Sequence, residues 1–364
     1  MTIPRRDFLR GSLAVAATLG ASGLLAACGD DDDGDVDEAS PTTGAGEEGT
    51  STTAPTRHSI TAMMPFPLSV NFIGDVVAIS AGFMDEVGVD LDLQFAASAP
   101  QALQQLVAGN VTVVRNGPVE TVQAVVNEDA PFMTIGMPNQ RTNYTLTSLP
   151  EQALTLTDLS GSTVGLPTLG SNAEFTLDLL LREAGIDPSS VGRQAVGLEA
   201  SAYGVLQEGV VDALLVPRST VAGVRALGEE PHVELLEDVN PLLGTNLVTT
   251  TAFVEERREA IVAYLKGLHA AMLALGDEER IPELLAAVQE DDWELPQLLD
   301  SEAAVPIVQS ITSRWFEDGE ENLLRNIPER WEQGVAELVE QGVVPEGTEA
   351  TDLYTNELLD EALA

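Results

Sequence analysis

The 364-residue chain carries one cysteine, one lysine and three histidines, and Phe, Trp and Tyr together make up only 4% of it. A single cysteine excludes an internal disulfide and any cysteine-cluster metal site. His58, His232 and His269 lack the i, i+4 spacing with a nearby acid that a metal-binding helix shows. No Gly-x-Ser-x-Gly elbow and no phosphate loop ending in Gly-Lys occurs, so the common hydrolase and nucleotide signatures are missing. Positive charge is equally scarce. Seventeen Lys and Arg stand against 59 Asp and Glu, a formal charge of −42. Nucleic-acid binding depends on basic side chains that release counterions, so that class of function is excluded. An anionic ligand would need a local positive pocket to overcome the background field. Acid pairs of the kind used in glycoside hydrolysis carry no signal, because so many acids supply accidental pairs.

What the chain does have begins at its N-terminus. Arg5-Arg6-Asp7-Phe8-Leu9-Arg10 precedes an uncharged run from Gly11 to Ala27 made mostly of Ala, Gly, Leu and Ser, and then Cys28. Twin arginines, a weakly apolar core and small residues before a cysteine read as a twin-arginine-type secretory signal over residues 1–27 and not as a membrane span. Leu25-Ala26-Ala27-Cys28 resembles the bacterial lipobox, in which the cysteine is lipidated and becomes the mature first residue. The expectation is a lipid-anchored protein outside the cytoplasm. Removing residues 1–27 takes away three Arg and one Asp, a net +2, and moves the charge from −42 to −44.

Residues 28–57 form the next unit. After Cys28 they hold nine acids, one Arg, no aromatic residue and many Gly, Ser, Thr and Pro. Such a segment buries too little apolar surface to offset its ordering entropy, so an acidic disordered tether is expected. As a flexible coil it spans roughly 30 Å. Two patterns inside it are decoys. Gly44-Ala45-Gly46-Glu47-Glu48-Gly49 has the letters of a dinucleotide loop but follows no strand. The run Asp31, Asp33, Asp35 starts like a calcium loop, yet Val36 and Thr42 stand where Gly and Glu are needed.

From His58 onward, and with 44% hydrophobic residues overall, short β-rich runs alternate with helical periodicity, the pattern of α/β layers with mainly parallel sheets. Strands are expected at 60–63, 89–95, 111–114, 132–137, 144–147, 163–166, 194–196, 213–216, 233–236 and 247–251. Helices are expected at 72–87, 100–108, 119–127, 172–184, 200–207 and 220–227. After about residue 255 only helices remain, at 255–275, 281–289, 298–316 and 328–341. Ten strands are too many for one ordinary open sheet, so two sheets in two lobes are expected, with the chain returning to the first near 247.

Ligands in such folds bind beyond the carboxyl ends of strands, where helix N-termini present free amides. Four strand-to-helix loops qualify. In Met64-Pro65-Phe66-Pro67, Phe66 is either a cleft wall or a core residue. In Arg115-Asn116-Gly117-Pro118-Val119-Glu120, Asn116 or Gly117 caps the helix, Pro118 opens it, and Arg115 is the nearest cation, set against simple capping with Arg115 solvated. In Leu166 through Glu174, Ser171 and Glu174 have capping-box spacing, while Gly170 would let backbone approach a ligand. In Val216-Pro217-Arg218-Ser219, Arg218 is either an anchor for a planar oxyanion or a structural ion-pair partner.

The lipobox and tether, the run Thr157-Asp158-Leu159-Ser160-Gly161-Ser162-Thr163-Val164-Gly165-Leu166-Pro167, Gly170-Ser171 before a helix, Arg182-Glu183-Ala184-Gly185-Ile186-Asp187-Pro188 and Leu206-Gln207-Glu208-Gly209-Val210-Val211-Asp212-Ala213 together resemble the solute-binding lipoproteins of ABC importers. Their order and spacing are closest to the nitrate, sulfonate and taurine branch, which is similar in fold to binding proteins for thiamine-pyrimidine precursors. The resemblance covers about residues 60–340. It implies a two-lobed periplasmic-binding-protein fold of type II with a hinge, lobe I being 58–143 with 245–364 and lobe II 144–244. It implies Phe66, Asn116, Gly117, Gly170, Ser171, Arg218 and Asn246 as ligand-binding residues and Cys28 as the lipidation site. It also implies no cofactor, a monomer that binds rather than transforms a small-molecule solute, and a membrane permease as partner. The alternatives are a binding protein for a pyrimidine precursor or other small heterocycle, an extracytoplasmic enzyme, or a ligand sensor on the same fold. Departures from the family pattern are Gly109-Asn110-Val111-Thr112 where Gly-Asp-Ile-Asp is common and Arg115 where a small residue is common. Trp293, Trp315 and Trp331 lie in the helical tail, which leaves Phe66, Tyr144 and Tyr203 as aromatic walls. The overall acidity favours a zwitterion such as taurine over a plain oxyanion.

Overall fold

The computed structural model describes residues 57–236, 243–291 and 293–364. The expected signal segment, Cys28 and the tether lie outside these residues, apart from Arg57, which pairs at the surface with Asp85 at 2.6 Å.

Among the described residues, runs rich in β-branched and aliphatic residues, cut by glycine and proline, give ten strands. They are β1 (His58–Met64), β2 (Val89–Phe95), β3 (Val113–Asn116), β4 (Phe132–Arg141), β5 (Tyr144–Ser148), β6 (Thr163–Leu166), β7 (Gly192–Ala195), β8 (Ala213–Pro217), β9 (His232–Leu235) and β10 (Leu243–Thr250). They make two five-stranded sheets, in the orders β2-β1-β3-β10-β4 and β7-β6-β8-β5-β9. Each sheet is mixed. In the first, β10 runs antiparallel to both β3 and β4; in the second, β5 runs antiparallel to both β8 and β9. Parallel pairing needs a crossover, and helices supply it between β1, β2 and β3 and between β6, β7 and β8; β5 follows β4 after only Thr142 and Asn143 and joins its sheet antiparallel.

The helices between strands are α1 (Ile73–Ser80), α2 (Phe83–Glu86), α3 (Ala99–Val107), α4 (Pro118–Glu128), α5 (Asn172–Glu183), α6 (Ala202–Gln207) and α7 (Arg218–Ala226). The tail contributes α8 (Thr251–Glu256), α9 (Arg258–Gly276), α10 (Ile281–Glu290), α11 (Ser301–Trp315), α12 (Pro328–Glu340) and α13 (Glu357–Leu363). The helix expected over 72–87 is two helices. Gly82 sits at φ 80°, a left-handed conformation that glycine adopts without penalty, and it turns the chain before α2. The strand expected from 247 starts at 243 instead. There Gly244 passes so close to β4 that a Cβ would lie 2.6 Å from the Arg141 carbonyl, and register shifts between Thr245 and Val248 break the alternation that marks a strand in sequence.

One large core lies between the first sheet and α1, α9, α10, α11 and α13. α9 is apolar and long enough to cross a membrane, but half of it is buried here. Ile261, Leu265, Leu268, Met272 and Leu275 recur at three- and four-residue steps and face Ile60, Ala62 and Val113 from the first sheet. Each such large side chain contributes roughly 1.5–3 kcal/mol by leaving water. The second sheet is covered on one face by α5 and on the other by α6 and α7.

Candidate functional site

The two sheets deliver two helix starts to one place. β3 ends at Asn116; Gly117 then takes an extended conformation (φ −80°, ψ 139°), and Pro118 opens α4, where its missing N–H would be unpaired in any case. β6 ends at Leu166, Gly170 turns the chain at φ +66°, and Ser171 precedes α5. A Cβ added to Gly117 would lie 2.4 Å from Glu120 Oε2 and 2.8 Å from Asn172 Cβ. Only glycine fits at 117, because the first turn of α5 lies against it.

Glu120, in the first turn of α4, is the chemical centre of this contact. Burial pushes its carboxyl up to about 7, against the smaller opposing pull of the backbone amides of Glu120 and Asn172. Among the described residues no cation acts on it. Tyr144, the first residue of β5, lies close enough that its phenol is raised by burial and then by the Glu120 charge. Acceptors gather around: Glu120 Oε2, Asn172 Oδ1, Asn116 Oδ1 and Asn246 Oδ1 are buried and have no hydrogen-bond partner among the described residues. Asn116 and Asn246 face each other across the β3–β10 ladder, 1% and 0% exposed. Their amide nitrogens are used, donating to Thr121 Oγ1 at 3.3 Å and Thr134 Oγ1 at 3.0 Å. Leaving a buried polar atom unpaired costs about 1–3 kcal/mol, so several in one place mark a functional position more than a packing choice.

Further contacts join the two halves of the body. Ser219 Oγ donates to Asn71 Oδ1 at 2.8 Å, joining the start of α7 to the turn after β1. Arg314 on α11 donates to the Thr142 carbonyl at 3.0 Å, so the tail grips the chain where it passes from β4 to β5.

The residues singled out in the sequence separate into two groups. Asn116, Gly117 and Asn246 lie at the end of β3 and its neighbour, next to Glu120, and Gly170 lines a groove of about 610 Å³ together with Glu120, Leu103, Gln104, Ala124 and Phe132. The others go elsewhere. Phe66 is half-buried against Phe72, ring centroids 5.2 Å apart, at the margin of the large core. Ser171 donates its hydroxyl to the Thr168 carbonyl at 2.8 Å, and Glu174 accepts from the Gly170 amide at 2.6 Å, so the spacing that suggests a capping box forms a different turn. Arg218 is turned toward α11, where Arg314 and Glu317 act on it, and lines a cavity of about 380 Å³ with Thr145, Ser310 and Ser313.

Arg115 is neither a cleft cation nor solvated. Strand alternation turns it to the opposite face from Asn116, where it donates to Asp75 at 2.9 Å and lies 5.5 Å from the Phe72 ring. Tyr264 donates to the other Asp75 oxygen at 3.2 Å. Tyr203 is a core residue of the second sheet. Trp293 donates to Ser80 at 2.9 Å, Trp315 is in the large core, and Trp331 stacks on Tyr354 at 5.2 Å, so none reaches Glu120.

Sequence reasoning passed over Glu120 and Asn172. An acid in the first turn of a helix is the commonest dipole partner, and nothing local distinguishes Glu120 from that role. Among the described residues no three His, Cys, Asp or Glu side chains are placed to hold a metal ion. His58, His232 and His269 sit on β1, β9 and α9.

A family model described as NMT1/THI5 like matches residues 69–277, more than half of the chain. No curated protein matches. Solved structures do. The alkanesulfonate-binding protein SsuA from Xanthomonas axonopodis pv. citri, bound to MOPS, superposes with a TM-score of 0.61 at 15% identity, over 83% of this chain and 99% of that one. The periplasmic nitrate-binding protein NrtA from Synechocystis PCC 6803 gives 0.62 at 12% identity, over 85% and 89%. The desulfurization enzyme DSZB gives 0.55 at 13% identity, over 84% and 99%. Identities this low show the fold, the two-lobed architecture of periplasmic binding proteins, which is the α/β arrangement the sequence implies.

Proposed function

The chain belongs to the NMT1/THI5-like family, and from that premise we propose that it is the extracytoplasmic solute-binding component of an ABC importer. Lobe I is 58–143 with 245–364 and lobe II is 144–244, and the two close around a small polar solute that is then handed to a membrane permease. The single observation that carries this reading is the meeting of the α4 and α5 starts at Gly117, Glu120 and Asn172, where buried acceptors from both lobes converge without partners among the described residues. A hinge pinned at Thr142 and a second interlobe contact at Ser219 and Asn71 fit a body that opens and closes as two rigid parts. Ligand binding then shifts an open–closed equilibrium, and the permease reads the closed form.

Sulfonates and nitrate, named in the neighbours' descriptions, are the first solutes to try, with an aminosulfonate preferred because the chain carries a formal charge of −42. Asn116, Gly117, Gly170 and Asn246 are the proposed contacts from the sequence reading, Glu120, Asn172 and Tyr144 those added by the structure. Binding is favoured over turnover because no histidine or cysteine stands among these residues. The lipobox at Leu25–Cys28 supports anchoring to the outer face of the cytoplasmic membrane; Cys28→Ser should release the protein from the membrane fraction. Calorimetry with taurine, alkanesulfonates, nitrate and bicarbonate tests the function. Micromolar binding without consumption of the solute supports it, and turnover of a bound compound by the purified protein would replace it with an enzymatic role.

A further inference from the structure

We infer that Glu120 selects the solute by charge, receiving a protonated nitrogen of the ligand, a primary ammonium or an amidinium group, and keeping simple oxyanions away from the starts of α4 and α5. The inference rests on the binding role proposed above and narrows its ligand class.

Helix starts hold anions because their first amides are unpaired. Here the Glu120 carboxyl itself lies between the two starts, its Oε2 packed against Gly117, which also abuts Asn172 at the head of α5. Above about pH 7, where the carboxyl is ionised, an oxyanion placed between the helices would face a like charge and be repelled. The arginines that might offset it are committed elsewhere. Arg115 is bound to Asp75 on the far face of the sheet, Arg193 to Asp178, and Arg218 lies beside Arg314 and Glu317. Among the described residues no cation acts on the Glu120 carboxyl, so a cationic ligand is the group that would stabilise its ionised form.

The other polar atoms point the same way. Asn172 Oδ1 belongs to the residue that abuts Gly117, Asn116 Oδ1 to the residue before Gly117, and Asn246 Oδ1 to its partner on β10; each is an acceptor without a donor among the described residues. The amide nitrogens of Asn116 and Asn246 donate to Thr121 and Thr134, and because the Thr121 hydroxyl is itself committed to the Gly117 carbonyl, the oxygen is the free end of Asn116. A set of acceptors is completed by a ligand that brings N–H groups. An ammonium brings three and an amidinium four, whereas nitrate or a sulfonate brings none.

The test uses the purified full chain and its Glu120→Gln and Glu120→Asp variants in calorimetry with matched pairs: ethanesulfonate and 2-aminoethanesulfonate, propionate and 3-aminopropionate, acetamide and acetamidine. Thermal melts confirm that each variant folds. The expected result is at least tenfold tighter binding of the member with a cationic nitrogen in one or more pairs, lost in Glu120→Gln and partly kept in Glu120→Asp. Equal or tighter binding of the members without a cationic nitrogen by the wild-type chain overturns the inference and leaves the binding role standing, as does a preference for the cationic members that survives in Glu120→Gln. Silence from all six compounds, together with no small molecule found by native mass spectrometry in the purified protein, overturns the binding role and this inference with it.

Discussion

Glu120→Gln has a consequence for stability that needs no ligand. Burial raises the carboxyl from 4.5 to about 7 in the folded protein. The folded state therefore holds this proton more tightly than the unfolded chain, and the resulting stability is complete below about pH 4.5 and is lost as pH rises through 7. The difference between 4.5 and about 7 is worth about 3–4 kcal/mol in all. Glutamine has no proton to lose, so the stability of Glu120→Gln minus that of the wild-type chain should grow by about 3 kcal/mol between pH 4.5 and pH 8.5. For about 300 described residues unfolding with roughly 2.1 cal/mol/K each, this corresponds to about 5 °C in Tm. Paired melts followed by circular dichroism at half-unit pH steps measure it, and the other acids cancel because both proteins carry them. A difference in Tm that stays flat within 1 °C over that range would show that Glu120 is solvated or paired in the folded protein, and the account of the site would fail.

The remaining predictions concern the supports of the site. Arg115→Met leaves Asp75 buried beside Tyr264 without its counter-charge and should cost about 3–5 kcal/mol in urea denaturation, most of it recovered in the double variant Asp75→Asn, Arg115→Met. Equal losses in the single and double variants would mean that packing, not charge, is what Arg115 supplies. Gly117→Ala puts a methyl against Glu120 and Asn172 and should destabilise by about 1–3 kcal/mol while abolishing solute binding, because the α4 and α5 starts can no longer meet. Arg218→Ala should change solute affinity by less than twofold, since Arg218 lines the cavity beside α11; a loss of about 2 kcal/mol or more in calorimetry would put a charged contact to the solute there instead.

Much of the body was legible because its signals are local. Glycine and proline at the ends of β1, β3, β6 and β8 mark strand-to-helix turns, and Pro118 after Gly117 reads as a helix start in any context. Strand alternation turns Arg115 and Asn116 to opposite faces, but which face meets Asp75 and which meets the second half of the body is not written in their neighbourhood. Ser171 and Glu174 show the limit of a motif. The spacing is that of a capping box, but the left-handed turn at Gly170 brings its amide to Glu174 and leaves the serine hydroxyl to the Thr168 carbonyl. Gly244 and the register shifts beside it hid the first half of β10 for the opposite reason, since a strand that bulges against its neighbour loses the period of two on which recognition depends.

The sequence by itself determined the excluded classes, the alternation of strands and helices, and the division of ten strands into two sheets, because composition, turn residues and periodicity act within a few residues of one another. Only the tertiary structure decided which residues make the site. Glu120 and Asn172 are 52 positions apart and each looks like an ordinary first-turn residue; their roles come from two helix starts packed so closely that glycine alone fits between them. Burial without a counter-charge is a property of that contact and of nothing in either segment, which is why a chain of −42 could be read at once while the one carboxyl that matters could not.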